Sequence, residues 1–171
     1  MLADVGLLVL RAVVGVLFMG HGLQKLAGWF GGHGLAGTGQ WLEAIGLRPG
    51  RAWALLAGVL ETVGGLLFAL GLFTPLGTVF ISAVMLMAIA RVHWAKGPWI
   101  ANGGYEHALT ALAAAIAVAL VGPGAYALDR YLGAALPVAQ VLAAGLLAAL
   151  VVVAVAPRPR AAARPEVRRA A

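Results

Sequence analysis

Residues 5–26, VGLLVLRAVVGVLFMGHGLQKL, set polar side chains into a run that is otherwise apolar and long enough to cross a bilayer. A helix of about 20 residues covers the roughly 30 Å of hydrocarbon in a membrane. At about 100° per residue, Arg11, Phe18, His21 and Lys25 share an arc of about 80°, with Gly15 and Gly22 beside it. The opposite face carries Leu, Val and Met. A charge turned toward lipid near a helix centre costs about 2.5–3.5 kcal/mol. The stripe therefore has to face other helices, and those helices have to answer its charges.

Composition agrees with a bilayer as the solvent. Of 171 residues, 63% are hydrophobic and only 11% charged, and the mean hydropathy is +0.96. A soluble domain of this length could not cover itself with so few polar groups. The first run lacks a basic lead-in and a small-residue cleavage site, so it reads as a retained span rather than a signal peptide. There is no cysteine, which removes disulfide and thiol chemistry from this chain. The net charge of +6 includes +4 from a tail of five Arg and one Glu after Ala156. Such a juxtamembrane tail sets orientation and touches anionic lipid; nothing here points to nucleic acid.

The pattern predicts an all-α integral membrane fold in one domain, residues 1–156, with a basic, disordered cytoplasmic tail at 157–171. Apolar runs at about 5–26, 52–73, 76–95, 105–121 and 136–156 predict a four-helix bundle plus a C-terminal fifth transmembrane helix. Trp41, Leu42, Ile45 and Leu47 recur at helical spacing between the first two runs and predict a short interfacial helix. Lys25, Arg48 and Arg51, then Arg91 and Lys96, then the tail arginines fall on one side when the chain crosses five times. The positive-inside rule makes that side cytoplasmic, with the N-terminus outside, in a cytoplasmic membrane.

Each later run brings its own ionisable groups. Glu61 lies mid-span, on or beside a stripe of small residues (Ala54, Gly58, Thr62, Gly65, Ala69) that lets another helix approach closely. Arg91 and His93 end the third run; Glu106 and His107 open the fourth. Antiparallel threading collects His21, Lys25, Arg91, His93, Glu106 and His107 at one end, with Glu61 halfway down and within reach of Arg11 or Lys25. One reading is a set of interhelical ion pairs that hold the bundle together. Another is a pocket, opening to the inner face, that binds a polar or quinone-like ligand and moves its protons. A third uses His21 and His93 as haem or metal ligands, although no paired-Cys or dense His signature accompanies them. His33 reads as a surface histidine, and Asp129-Arg130 as an exposed pair or cap.

The order of these pieces resembles the DoxX family of small bacterial membrane proteins. The matching residues are Arg11, Gly15, Phe18, His21, Gly22, Lys25 and Leu26; then Glu61, Gly64, Gly65, Gly71 and Thr74. They continue with Met87, Ala88 and His93; Gly104, Tyr105 and Glu106; and Gly122-Pro123-Gly124, Tyr126, Leu128 and Asp129. The resemblance implies a four-helix protein, from which the fifth run and Arg-rich tail depart. It also implies a link to membrane redox complexes, since the family name is shared with a subunit of a thiosulfate:quinone oxidoreductase. His21, Lys25, Glu61, His93 and Glu106 would then be quinone-site groups. Glu61 and Glu106 would exchange protons with the headgroup, and His21 and Lys25 would hydrogen-bond its oxygens. A redox partner subunit would supply the electron carrier, and association with a second copy of the chain stays open. A proton-coupled transporter and a membrane anchor for a soluble enzyme are the rival classes.

Overall fold

The computed structural model describes residues 1–134 and 136–157. The lipid-contacting and orienting role expected of the basic tail therefore lies outside the described residues. Helices α1 (Leu2–Leu26), α2 (Gly34–Ala44), α3 (Gly50–Leu70), α4 (Thr74–Ala88), α5 (Glu106–Val121), α6 (Leu128–Leu132) and α7 (Val138–Val155) follow in order. Helix α4 runs on through a π-helical turn, Ile89–His93, and a 3₁₀ turn, Trp94–Lys96. Among the described residues, four helical stretches are long and apolar enough to span a membrane: Leu2–Leu26, Gly50–Leu70, Thr74–Lys96 and Val138–Val155. Helix α5, with 16 residues, is shorter than that length.

Small residues decide the closest packing. A Cβ on Gly15 would fall on the Gly65 carbonyl and on Ala69, and one on Gly22 would fall on Thr62 and the Gly58 carbonyl. Helices α1 and α3 therefore run antiparallel with their backbones nearly touching, as the small-residue stripe predicts. The next pair, α3 and α4, turns back through Gly71 in the left-handed region (φ 63°). Phe68, Ile81, Met85, Ala111, Ala115 and Val118 form the core between α3, α4 and α5. Helix α7 lies parallel to α4 on its outer side, with Gly145 against Val79 and Leu142 buried between.

Two polar side chains stitch one end of this bundle. Asp129, at the start of α6, accepts hydrogen bonds from the Phe73 amide (2.6 Å), the Thr74 amide (3.1 Å) and the Thr74 hydroxyl (2.9 Å). It caps α4 from more than fifty residues away in sequence. Its own amide donates to the Gly71 carbonyl at 2.9 Å. Arg11, 0% exposed, donates through Nη2 to the Tyr126 carbonyl at 3.0 Å. Its guanidinium also fills the space a side chain at Gly71 would need. The sequence puts Arg11 within reach of Glu61, but the side chain extends toward this end instead, where the loop at 122–127 offers carbonyl oxygen. Arg11 is thus a brace for two loops and not a pocket group.

Candidate functional site

The opposite end is built around Lys25 and Glu61. The close approach of α1 and α3 at Gly22 sets the last turn of α1 against the middle of α3. There Lys25 Nζ donates to Glu61 Oε2 at 2.5 Å and lies 3.4 Å from the His21 carbonyl. Glu61 is 3% exposed. A carboxylate this deep in an apolar bundle needs a nearby cation, and Lys25 supplies it.

Two imidazoles flank the pair, and both are held by one nitrogen. His21 Nδ1 lies 3.1 Å from Gln24 Oε1. Gln24 Nε2 in turn donates to the Phe30 carbonyl at 3.2 Å, which orients the amide with its oxygen toward the ring. His93 Nδ1 lies 2.6 Å from the Gly103 carbonyl. A carbonyl oxygen can only accept, so in each neutral ring Nδ1 carries the proton and Nε2 offers a lone pair. The ring of His107 stands edge-on to that of His21, with centroids 6.3 Å apart.

His21, Lys25, Glu61, His93 and His107 line a common cavity of about 250 Å³. Phe18, Val84, Met85 and Met87 give it apolar walls. So do Trp41, Leu42 and Leu47, from α2 and the turn that follows it, while Thr38 adds a hydroxyl. A second cavity, of about 270 Å³, adjoins across Lys25, Thr38 and Trp41 and is bounded on its far side by His33, Gly31 and Gly32. His33 itself is exposed. Such a site can offer an ammonium donor to a carbonyl oxygen and imidazole acceptors to a hydroxyl, with a buried carboxylate beside both.

The remaining residues singled out in sequence go elsewhere, each for a visible reason. Arg91 turns away from the cavity and donates through Nη2 to the Val153 carbonyl and, at 2.8 Å, to the Ala156 carbonyl. A cation there satisfies the open carbonyls at the C-terminus of α7. Arg91 and His93 are two residues apart on a helical turn and so cannot face the same way. Glu106 is exposed and accepts the Ile100 amide at 2.9 Å, closing the loop before α5. With Arg11 bracing the far end, three of the eight predicted pocket residues, Arg11, Arg91 and Glu106, serve loops and helix ends. Sequence reasoning placed α2 at the interface; Thr38, Trp41 and Leu42 also make it a wall of the cavity. The signal lay in Gly39 and Gly50, whose Cβ positions would collide with the facing backbone and so bring α2 onto α3. Among the described residues no three metal-ligating side chains converge.

Comparison with known proteins agrees with this architecture. The DoxX family model matches residues 6–94. "Putative oxidoreductase CatD" from Bacillus subtilis (strain 168) is 33% identical over 128 residues, covering 75% of this chain and 87% of that protein. "Inner membrane protein YqjF" from Escherichia coli (strain K12) is 34% identical over 131 residues, covering 77% and 95% respectively. No solved structure matches the chain with comparable significance.

Proposed function

The chain belongs to the DoxX family of membrane proteins, and from that premise we propose that it binds the ring of a quinone or quinol in the Lys25–Glu61 cavity, as a membrane subunit of a redox system. The observation that carries the reading is the pairing of Glu61 with Lys25 on the wall of a cavity that three imidazoles also line. A purely structural ion pair would be sealed by packing; this one borders open space. One relative's name mentions an oxidoreductase, which supports the same direction.

A quinone takes up electrons and protons at its ring oxygens, and this is the chemistry such a ligand brings when bound. Lys25 would hold a ring carbonyl by donating from Nζ. The free Nε2 atoms of His21 and His93 would accept from the hydroxyls of the reduced ring. Glu61, in contact with Lys25, would store and release a proton without carrying an isolated charge into the bundle. The adjoining cavity at Thr38, Trp41 and His33 would connect Lys25 to the aqueous side. Electrons would come from or go to a redox-active partner subunit. By the distribution of Lys and Arg, the cavity end would face the cytoplasm.

The test is direct binding to the full chain in detergent, followed by quenching of tryptophan fluorescence, with 2,3-dimethoxy-5-methyl-1,4-benzoquinone as the probe. Glu61→Gln keeps the shape and removes the charge. It should weaken binding by about tenfold or more, the equivalent of a lost charge-assisted contact. Equal dissociation constants for the two proteins would overturn the assignment.

A further inference from the structure

His21 borders two spaces at once. On its inner side is the cavity with Lys25 and Glu61. On its outer side is a groove of about 370 Å³ along the exposed face of α1. Val16, Leu17, Gly20 and Leu23 line the groove and Phe30 closes its end, so everything except His21 and Gln24 is apolar or aliphatic. Val16 and Leu17 are 60% and 54% exposed, and they lie on a helix long and apolar enough to span a membrane. The groove thus meets hydrocarbon at Val16 and polar groups at His21 and Gln24, about 8 and 12 Å further along the helix.

Two further features mark the groove as shaped. Gly20 has no atom of another residue near the position of a Cβ. It is therefore no packing glycine, unlike Gly15 and Gly22 on the same helix, and the space it leaves belongs to the groove. Phe30 holds a left-handed backbone (φ 51°), which costs a non-glycine residue free energy and persists only when its surroundings impose it. Gln24 Nε2 donates to the Phe30 carbonyl, so the amide that orients His21 also holds the residue at the groove's end.

We propose that this groove binds the hydrocarbon tail of the ligand whose ring occupies the cavity, so that the site takes a lipid-tailed ring which enters sideways from the bilayer past His21. The inference rests on the quinone reading and specifies its substrate class: an amphiphile with a ring headgroup and a long apolar tail, not a water-soluble ring. The polarity of the groove runs the way such a molecule lies in a membrane, its head toward the interface and its tail toward the hydrocarbon. A phospholipid acyl chain is the competing occupant.

Gly20→Leu separates these cases, since the added side chain has room in the fold and fills the groove; Leu17→Phe is the second variant. Binding of a decyl-tailed benzoquinone and of the same ring without a tail is measured for each protein in nanodiscs of one lipid composition, so that partitioning of the tail into lipid cancels between variants. Gly20→Leu and Leu17→Phe should each reduce affinity for the tailed ring by about tenfold and leave the tailless ring unaffected, the scale of about ten lost van der Waals contacts between tail and groove. An unchanged ratio of tailed to tailless affinity in both variants would overturn the groove assignment while leaving the cavity intact. If the variants instead lose only co-purifying phospholipid, the groove is a lipid site and the proposal fails. Loss of both probes on Glu61→Gln, with the ratio unmoved in the groove variants, would retain the quinone reading alone.

Discussion

At one end of the bundle, Arg11 is wholly buried and directs its guanidinium at the Tyr126 carbonyl, beside the Gly71 turn and the Asp129 cap. At the other, Lys25 lies on the same helix about 21 Å further along and directs its ammonium at Glu61, beside a cavity. Both are single cations on the stripe that faces the neighbouring helices. Around Arg11 the partner is backbone, and the loops close down on it. Around Lys25 the partner is an acid, and the walls are held apart by Phe18, Trp41 and Met85. A buried charge therefore does not by itself mark a binding site in a membrane bundle. The difference lies in whether the neighbours close on the charge or leave space in front of it.

Substitutions should keep the two ends distinct. The largest effect is expected for Lys25→Met, which strands Glu61 without a cation. It should lower the stability of the detergent-solubilised protein by about 3 kcal/mol, measured by chemical or thermal unfolding. The double variant Lys25→Met/Glu61→Gln should recover most of that loss and still fail to bind the benzoquinone probe. Recovery of binding in the double variant would mean that the charges serve packing only. Next comes Arg11→Met, expected to cost about 2 kcal/mol through the orphaned Tyr126 carbonyl and the lost brace. Probe affinity of the folded protein should not move, and a parallel loss of affinity would erase the division between the ends. The smallest effect is expected for Asp129→Ala, about 1 kcal/mol for a lost helix cap. It should appear as earlier unfolding, again without a change in binding.

Much of this arrangement could be read from the residues. The small-residue stripe on α3 predicted where α1 would press, and Gly71, Thr74 and Gly122-Pro123-Gly124 marked turns that the fold uses. Antiparallel threading of helix ends accounts for His21, Lys25, His93 and His107 lying together, and they line one cavity with Glu61. Long cations were the hard case. Arg11 can reach along its helix in either direction, and only the position of the 122–127 loop decides which. Glu106 looks like a pocket acid until the Ile100 amide comes within 2.9 Å. That contact depends on the path of a loop with no periodicity to read. Arg91 was misplaced for a different reason. Threading brought Arg91 and His93 to the same end, but two positions apart on one helical turn they point different ways.

The wide turn at Ile89–His93 has a consequence for how this chain tolerates insertion and deletion. A π-turn carries one residue more than the α-helix it interrupts, and from this one Arg91 meets the end of α7 while His93 meets the cavity. Removing a single residue there would swing the rest of the turn, through Lys96, by about 100°, so that Arg91 would leave the end of α7 and His93 the cavity wall together. The length of that segment is thus tied to two distant jobs, and neither can drift without the other.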